Sequence, residues 1–178
     1  LSVALAMVVL SVIVNTANFI FTDKKLGDTL RMICDNQGTI PTDRPAPPDS
    51  DGAKPDPRFN KETPFSTRYF VLRYKDDGTL VMSNMEKIAA VTSDDVQKYL
   101  SIAYSHGEGF GYADNFGYKF LVAKNGGNKN MVVFLDCQNE MQSVKTILLL
   151  SSAATVFCVL AVYLLVVLFS KKAIDPVV

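Results

Sequence analysis

The sequence has no tryptophan, a single histidine, three cysteines and no excess charge of either sign, with 18 Lys and Arg against 18 Asp and Glu. The charge balance excludes a strongly basic nucleic-acid binder and an acidic disordered tail. One histidine, with no cysteines clustered around it, excludes the usual zinc spacings. There is no Ser-His-Asp set, Walker loop or EF-hand pattern, so neither catalytic machinery nor a cofactor is expected within these residues. Charge is also missing locally. Residues 1–22 and 146–170 carry none at all, and each run meets the roughly 20 residues needed to cross hydrocarbon.

Residues 1–22, LSVALAMVVLSVIVNTANFIFT, are apolar nearly all round, as suits a helix whose solvent is lipid. A cleaved signal peptide is the competing reading, but it calls for a shorter apolar core and a small-x-small site, and none precedes Asp23. Because the chain opens on Leu1, it reads as a fragment whose cytoplasmic start has been removed. Residues 146–170 form the second span, and Lys171 and Lys172 follow it directly. Paired lysines just past a span favour the cytoplasmic side, which puts 23–145 outside the cell. The expected division is a transmembrane helix at 1–22, a membrane-proximal helix at 23–38, a connector at 39–64, an outer domain at 65–143, a second transmembrane helix at 144–170 and a cytoplasmic start at 171–178.

Within the outer part, Leu26, Leu30 and Ile33 recur at helical spacing and Gly38 supplies a left-handed stop, so the first helix is expected to continue outward with an amphipathic face. Residues 39–64 hold seven of the eight prolines, the composition of an extended connector. STRYFVLRYK (66–75) and TLVMS (79–83) flank Asp76, Asp77 and Gly78 as a hairpin. Arg68, Phe70, Leu72 and Tyr74 share one face of the first strand. Thr92 or Ser93 is placed to cap a helix with Asp94 and Asp95 in its first turn, and Val96, Tyr99, Leu100 and Ala103 form its apolar stripe up to Gly107. Strands follow at 109–114, 117–124 and 130–136, the last two joined by Asn125, Gly126, Gly127 and Asn128.

The order helix, connector, two strands, helix, three strands is that of an α+β, PAS-like or Cache-type sensor with a five-stranded antiparallel sheet and a long N-terminal helix, flanked by two transmembrane helices. The phrases PFSTRYF (64–70), YKDDGTL (74–80), GYADNFGYKF (111–120), VVFLD (132–136) and KKAIDPV (171–177) resemble the sensor half of a bacterial two-component membrane histidine kinase. That resemblance implies a homodimeric plasma-membrane protein that detects an extracellular small molecule or protein and controls a cytoplasmic kinase. The chain departs from the family in stopping at Val178, before any phospho-accepting helix, and its one histidine, His106, falls in the outer part. A chemoreceptor or cyclase receptor with the same outer module, and a non-signalling anchored binding protein, are the rival readings.

Arg68 and Asp136 fall in strands whose neighbours are apolar, and an ionised group among such neighbours must be paired. Facing one cavity they would hold the carboxylate and amine of a ligand, as the Cache resemblance implies; otherwise they are a structural ion pair. Tyr99, Tyr112, Tyr118 and Phe120 are expected between helix and sheet, as pocket wall or as ordinary core. His106 is placed at a helix end, where it serves either as a favourable charge on the dipole or as a pH-sensing group. Cys34 and Cys137 are the outer cysteines and are able to form a disulfide if their Cα atoms lie within about 7 Å; Cys158 lies in the second span.

Overall fold

The computed structural model describes residues 2–40, 63–125 and 129–174. They fall into two compact units, one made of the helical segments before Lys24 and after Gln138, the other of Lys24–Gln138. Most of the proline-rich connector, the centre of the Asn-Gly-Gly-Asn turn and the last four residues lie outside the described residues.

The second unit is built on a five-stranded sheet: β1 (Tyr69–Tyr74), β2 (Leu80–Asn84), β3 (Gly109–Ala113), β4 (Tyr118–Asn125) and β5 (Lys129–Asp136). The spatial order is β2-β1-β5-β4-β3, and every neighbouring pair is antiparallel. β5 is central, and its apolar run Met131–Leu135 is buried without alternation, because layers cover both faces of the sheet. Helix α3 (Val96–His106) lays Val96, Tyr99, Leu100 and Ala103 on one face, against Phe70, Leu72, Phe120, Val132 and Phe134. The outward end of α1 (Ser2–Asp35) covers the other face. There Leu30 and Ile33 are fully buried, and a Cβ added to Gly27 would touch the Phe110 ring. The amphipathic stripe expected from the sequence is therefore one layer of the domain core.

Helix α1 ends as its sequence anticipates, with one addition. Gly38 has φ +87° and its N–H bonds the Ile33 carbonyl at 2.7 Å, while the Gln37 N–H bonds Cys34 at 3.0 Å. This is the double bond of a Schellman motif, with Gln37 itself left-handed at φ 56°. Beyond one-residue shifts at the ends of β2 to β5, two features differ from the sequence expectation. Ser66 belongs to the short turn α2 (Thr63–Ser66), so β1 starts at Tyr69. Neither Thr92 nor Ser93 caps α3: the Asp95 carboxylate accepts from both the N–H and the hydroxyl of Thr92, at 3.0 and 2.7 Å. That closed turn delays the helix to Val96, with Asp95 as its N-cap residue and no side-chain capping bond.

The first unit consists of α1 up to Asp23 and α4 (Gln138–Ile174) from Asn139 onward. Both helices are long and apolar enough to cross a membrane, with mean hydropathy of 2.2 and 2.6 in their most apolar windows. Their pattern is inverted relative to a water-soluble helix pair. Val8, Leu10, Ile13 and Phe21 point outward, as do Leu149, Phe157 and Leu164 on α4. Ala4, Met7, Ser11, Asn15, Asn18 and Thr22 recur at three- and four-residue spacing and are half-buried. From this stripe the Asn15 Nδ2 donates to the Ser151 hydroxyl of α4 at 2.7 Å and to the Ser11 carbonyl at 2.7 Å.

Candidate functional site

Arg68, Asp136, Tyr118 and Tyr99, all expected from the sequence as site candidates, meet at one end of the sheet. β1 begins beside the end of β5, and β4 begins on the other side of β5, so Arg68, Asp136 and Tyr118 arrive together. The Asp136 N–H donates to the Arg68 carbonyl at 2.9 Å, and Tyr118 is the register partner of Asp136. Arg68 Nη2 lies 3.3 Å from Asp136 Oδ2, with the arginine side chain 52% exposed and the aspartate 12%. The other carboxylate oxygen of Asp136 accepts from the Gln138 N–H at 3.1 Å, where α4 begins. Asp136 thus ties together the start of β1, the end of β5 and the first residue of the last helix. Both of its oxygens have protein partners, and the guanidinium side chain is half exposed.

Tyr99 and Tyr118 stand edge to face, 5.4 Å between ring centroids, and both pack on Phe70. The Tyr99 hydroxyl donates to Asp114 Oδ2 at 2.5 Å, and Lys98 Nζ lies 2.6 Å from Asp114 Oδ1. Burial raises the Tyr99 phenol above its ordinary range, and the hydrogen bond to ionised Asp114 raises it further. Burial also opposes ionisation of Asp114, but hydrogen bonds from Lys98 and Tyr99 outweigh it and hold the carboxyl below the usual range. Tyr118 is raised by burial first and by the nearby Asp136 charge second. The result is a row of neutral phenols held between two anchored carboxylates, backed by the stacked pair Phe70 and Phe134 at 4.7 Å.

Tyr112 is not among them. Strand side chains alternate, and the register pairs Tyr112 with Lys119 and Gly111 with Phe120. Tyr112 therefore faces the α1 layer, opposite to Tyr118 and Phe120. On that face the buried Lys119 ammonium sits over the rings of Phe110 and Tyr112, 5.3 and 5.4 Å from their centroids, and Arg31 of α1 takes the Phe110 ring as well, at 5.2 Å. The Cys34–Cys137 disulfide that the sequence allows is not formed. Cys34 is half-buried, and Cys137 is buried with its Sγ donating to the Phe116 carbonyl at 3.3 Å, which turns it into the β3–β4 turn. His106 is exposed in the last turn of α3, edge-on to Phe120 at 5.1 Å.

Sequence reasoning missed Asp114 and its turn. Asp114, Asn115 and Phe116 are three consecutive left-handed residues, at φ 49°, 54° and 69°, a conformation that costs non-glycine residues about 1–2 kcal/mol each. Lys98 and Tyr99 hold the turn through Asp114, Tyr112 holds it through the Phe116 ring at 4.8 Å, and the Cys137 N–H donates to the Gly117 carbonyl at 3.0 Å. The Asp-Asn dipeptide was the available signal, since these two residues tolerate left-handed backbone best. Among the described residues, no group of three or more His, Cys, Asp or Glu is arranged to hold a metal ion. No protein-family model, curated protein or solved structure matches the chain.

Proposed function

We propose that this chain is the sensing and membrane-coupling region of a bacterial two-component sensor histidine kinase, with residues 23–145 outside the plasma membrane and the kinase supplied by residues beyond Val178. The observation that carries the reading is the way the sheet domain joins its helices. Helix α1 is unbroken from Ser2 to Asp35 and contributes Leu26, Leu30 and Ile33 to the domain core. At the other end β5 closes on Asp136, whose carboxylate receives the first N–H of α4, and α4 is unbroken to Ile174. A rearrangement at this end of the sheet would act on two continuous helices, with no proline or glycine between Cys137 and Ser170 to absorb it in α4. The helix between β2 and β3 and the order β2-β1-β5-β4-β3 support the PAS-like assignment of the outer domain. A stimulus shifts such a protein only by binding one arrangement more tightly than another. Arg68, half exposed on an anchored ion pair, is the group best placed to receive an anionic small molecule or an acidic surface of a partner protein.

Membranes carrying the complete gene product are expected to take phosphate from ATP onto histidine, and insertion of several glycines between Gln138 and Lys145 is expected to make that labelling insensitive to the outer domain. Absence of phosphohistidine would sink the kinase reading in favour of a different output. Unchanged stimulus dependence in the glycine-insertion variant would sink the coupling.

A further inference from the structure

We infer that the pair of apolar helices contains a water-binding site within its membrane-embedded length, formed by Asn15 and Asn18. This rests on the spanning reading above. The Asn15 amide uses its Nδ2 on the Ser11 carbonyl and the Ser151 hydroxyl, while its Oδ1 is buried with no partner among the described residues; three residues on, Asn18 Nδ2 is buried with no partner among them as well. Side chains three apart on a helix lie on one face, and both belong to the half-buried polar stripe of α1. One is an orphaned acceptor and the other an orphaned donor.

Left dry, each such group carries a desolvation penalty that a hydrocarbon surround cannot relieve. The outward faces of both helices are large and apolar, so lipid offers no alternative partner. The complementary ligand must donate to Asn15 Oδ1 and accept from Asn18 Nδ2. Water does both with a single molecule and carries no charge into the membrane. A cation would satisfy the acceptor and repel the donor, and an anion would do the reverse. The site would bridge the one polar rung between the two helices among the described hydrogen bonds, Asn15 to Ser151, into a short network. Such a network fixes the helix register by hydrogen bonding, where apolar packing against lipid-like side chains discriminates poorly.

The test uses the full chain, labelled with ¹⁵N-asparagine and ¹⁵N-valine and reconstituted in phosphatidylcholine bilayers, with solid-state NMR transfer of magnetisation from water. The expected result is transfer to the Asn15 and Asn18 side-chain amides several-fold faster than to the backbone of Val12 and Val14, with the Asn15 signal slowing to the valine level in Asn18→Leu. Transfer to the asparagines no faster than to the valines overturns the site while leaving the spanning reading intact. Fast transfer to asparagines and valines alike overturns both, because the helix would then lie in water. Asn18→Leu also separates the cases by stability: removing a donor that is satisfied by water lowers the melting temperature, whereas an increase indicates a dry orphan and overturns the site.

Discussion

Asp114 is the residue on which the tyrosine cluster of the sheet domain turns. Its carboxylate neutralises Lys98, receives the buried Tyr99 hydroxyl and stabilises the first of three left-handed residues. Asp114→Ala should destabilise the chain by about 1–3 kcal/mol, the cost of leaving a buried hydroxyl unpaired. Tyr99→Phe in that background should add little, because the two groups act as one unit. Thermal melts of the detergent-solubilised chain followed by tyrosine near-ultraviolet dichroism would read both variants. The pH dependence has a definite sign. Asp114 ionises more readily folded than unfolded, so its stabilisation is complete above the ordinary carboxylate range and is lost as pH falls through its depressed value. The wild-type melting temperature should therefore drop on acidification more steeply than that of Asp114→Ala, and parallel curves would show that Asp114 is not the group responsible. A second prediction comes from Gly111. A Cβ placed there would stand 2.3 Å from Phe120 Cζ, and Phe120 is enclosed by Phe134 and His106 at 5.1 Å each. Gly111→Ala should cost about 1–3 kcal/mol by overpacking, with the loss reduced when combined with Phe120→Leu.

At the scale of elements, the strands and helices were legible where side-chain period and turn chemistry agreed. Leu26, Leu30 and Ile33 announced a buried helical stripe, and Asp76, Asp77 and Gly78 announced the β1–β2 turn, where the Thr79 N–H now bonds the Asp77 carboxylate at 2.8 Å. Two kinds of information were not local. The face of Tyr112 depends on the pairing of β3 with β4, and a one-residue change of register reverses it. The start of α3 depends on whether Asp95 or Thr92 supplies the hydrogen-bonding oxygen, and both residue types are good at either role. Asn15 and Asn18 were masked by the surrounding valines and leucines, because a segment judged by average hydropathy hides a narrow polar stripe. The role of α1 as a layer of the domain yields a prediction of its own. Leu30 is fully buried, so Leu30→Ala should cost about 2–5 kcal/mol and loosen the sheet domain, while far-ultraviolet dichroism retains the two long helices. An unchanged melt would mean that α1 merely passes the sheet.

For the whole molecule, the decisive physical fact is an inverted distribution of polarity in one unit and an ordinary one in the other. Among the described residues of 24–138 the core is apolar, as in Phe70, Phe134 and Val132, and the charged residues other than Lys119 reach the surface. In the helical unit Leu10, Ile13, Phe157 and Leu164 are outside, and Ser11, Asn15, Asn18 and Ser151 face inward. No single solvent suits both, so the chain should lie across a boundary between lipid and water. In the proposed topology the paired lysines at 171 and 172 mark the cytoplasmic end. With an epitope tag after Val178, trypsin added to bacterial spheroplasts should cut at exposed lysines such as Lys75, Lys87 and Lys98 and leave a shortened, tagged fragment containing α4. Cutting in detergent provides the control for a domain that resists protease by being folded. A tag destroyed while 24–138 survives would reverse the orientation, placing the Arg68 site in the cytoplasm and removing the basis for an extracellular stimulus. Release of the untreated chain by carbonate or high salt, without detergent, would show that the outward leucines and phenylalanines are covered by protein and not by lipid.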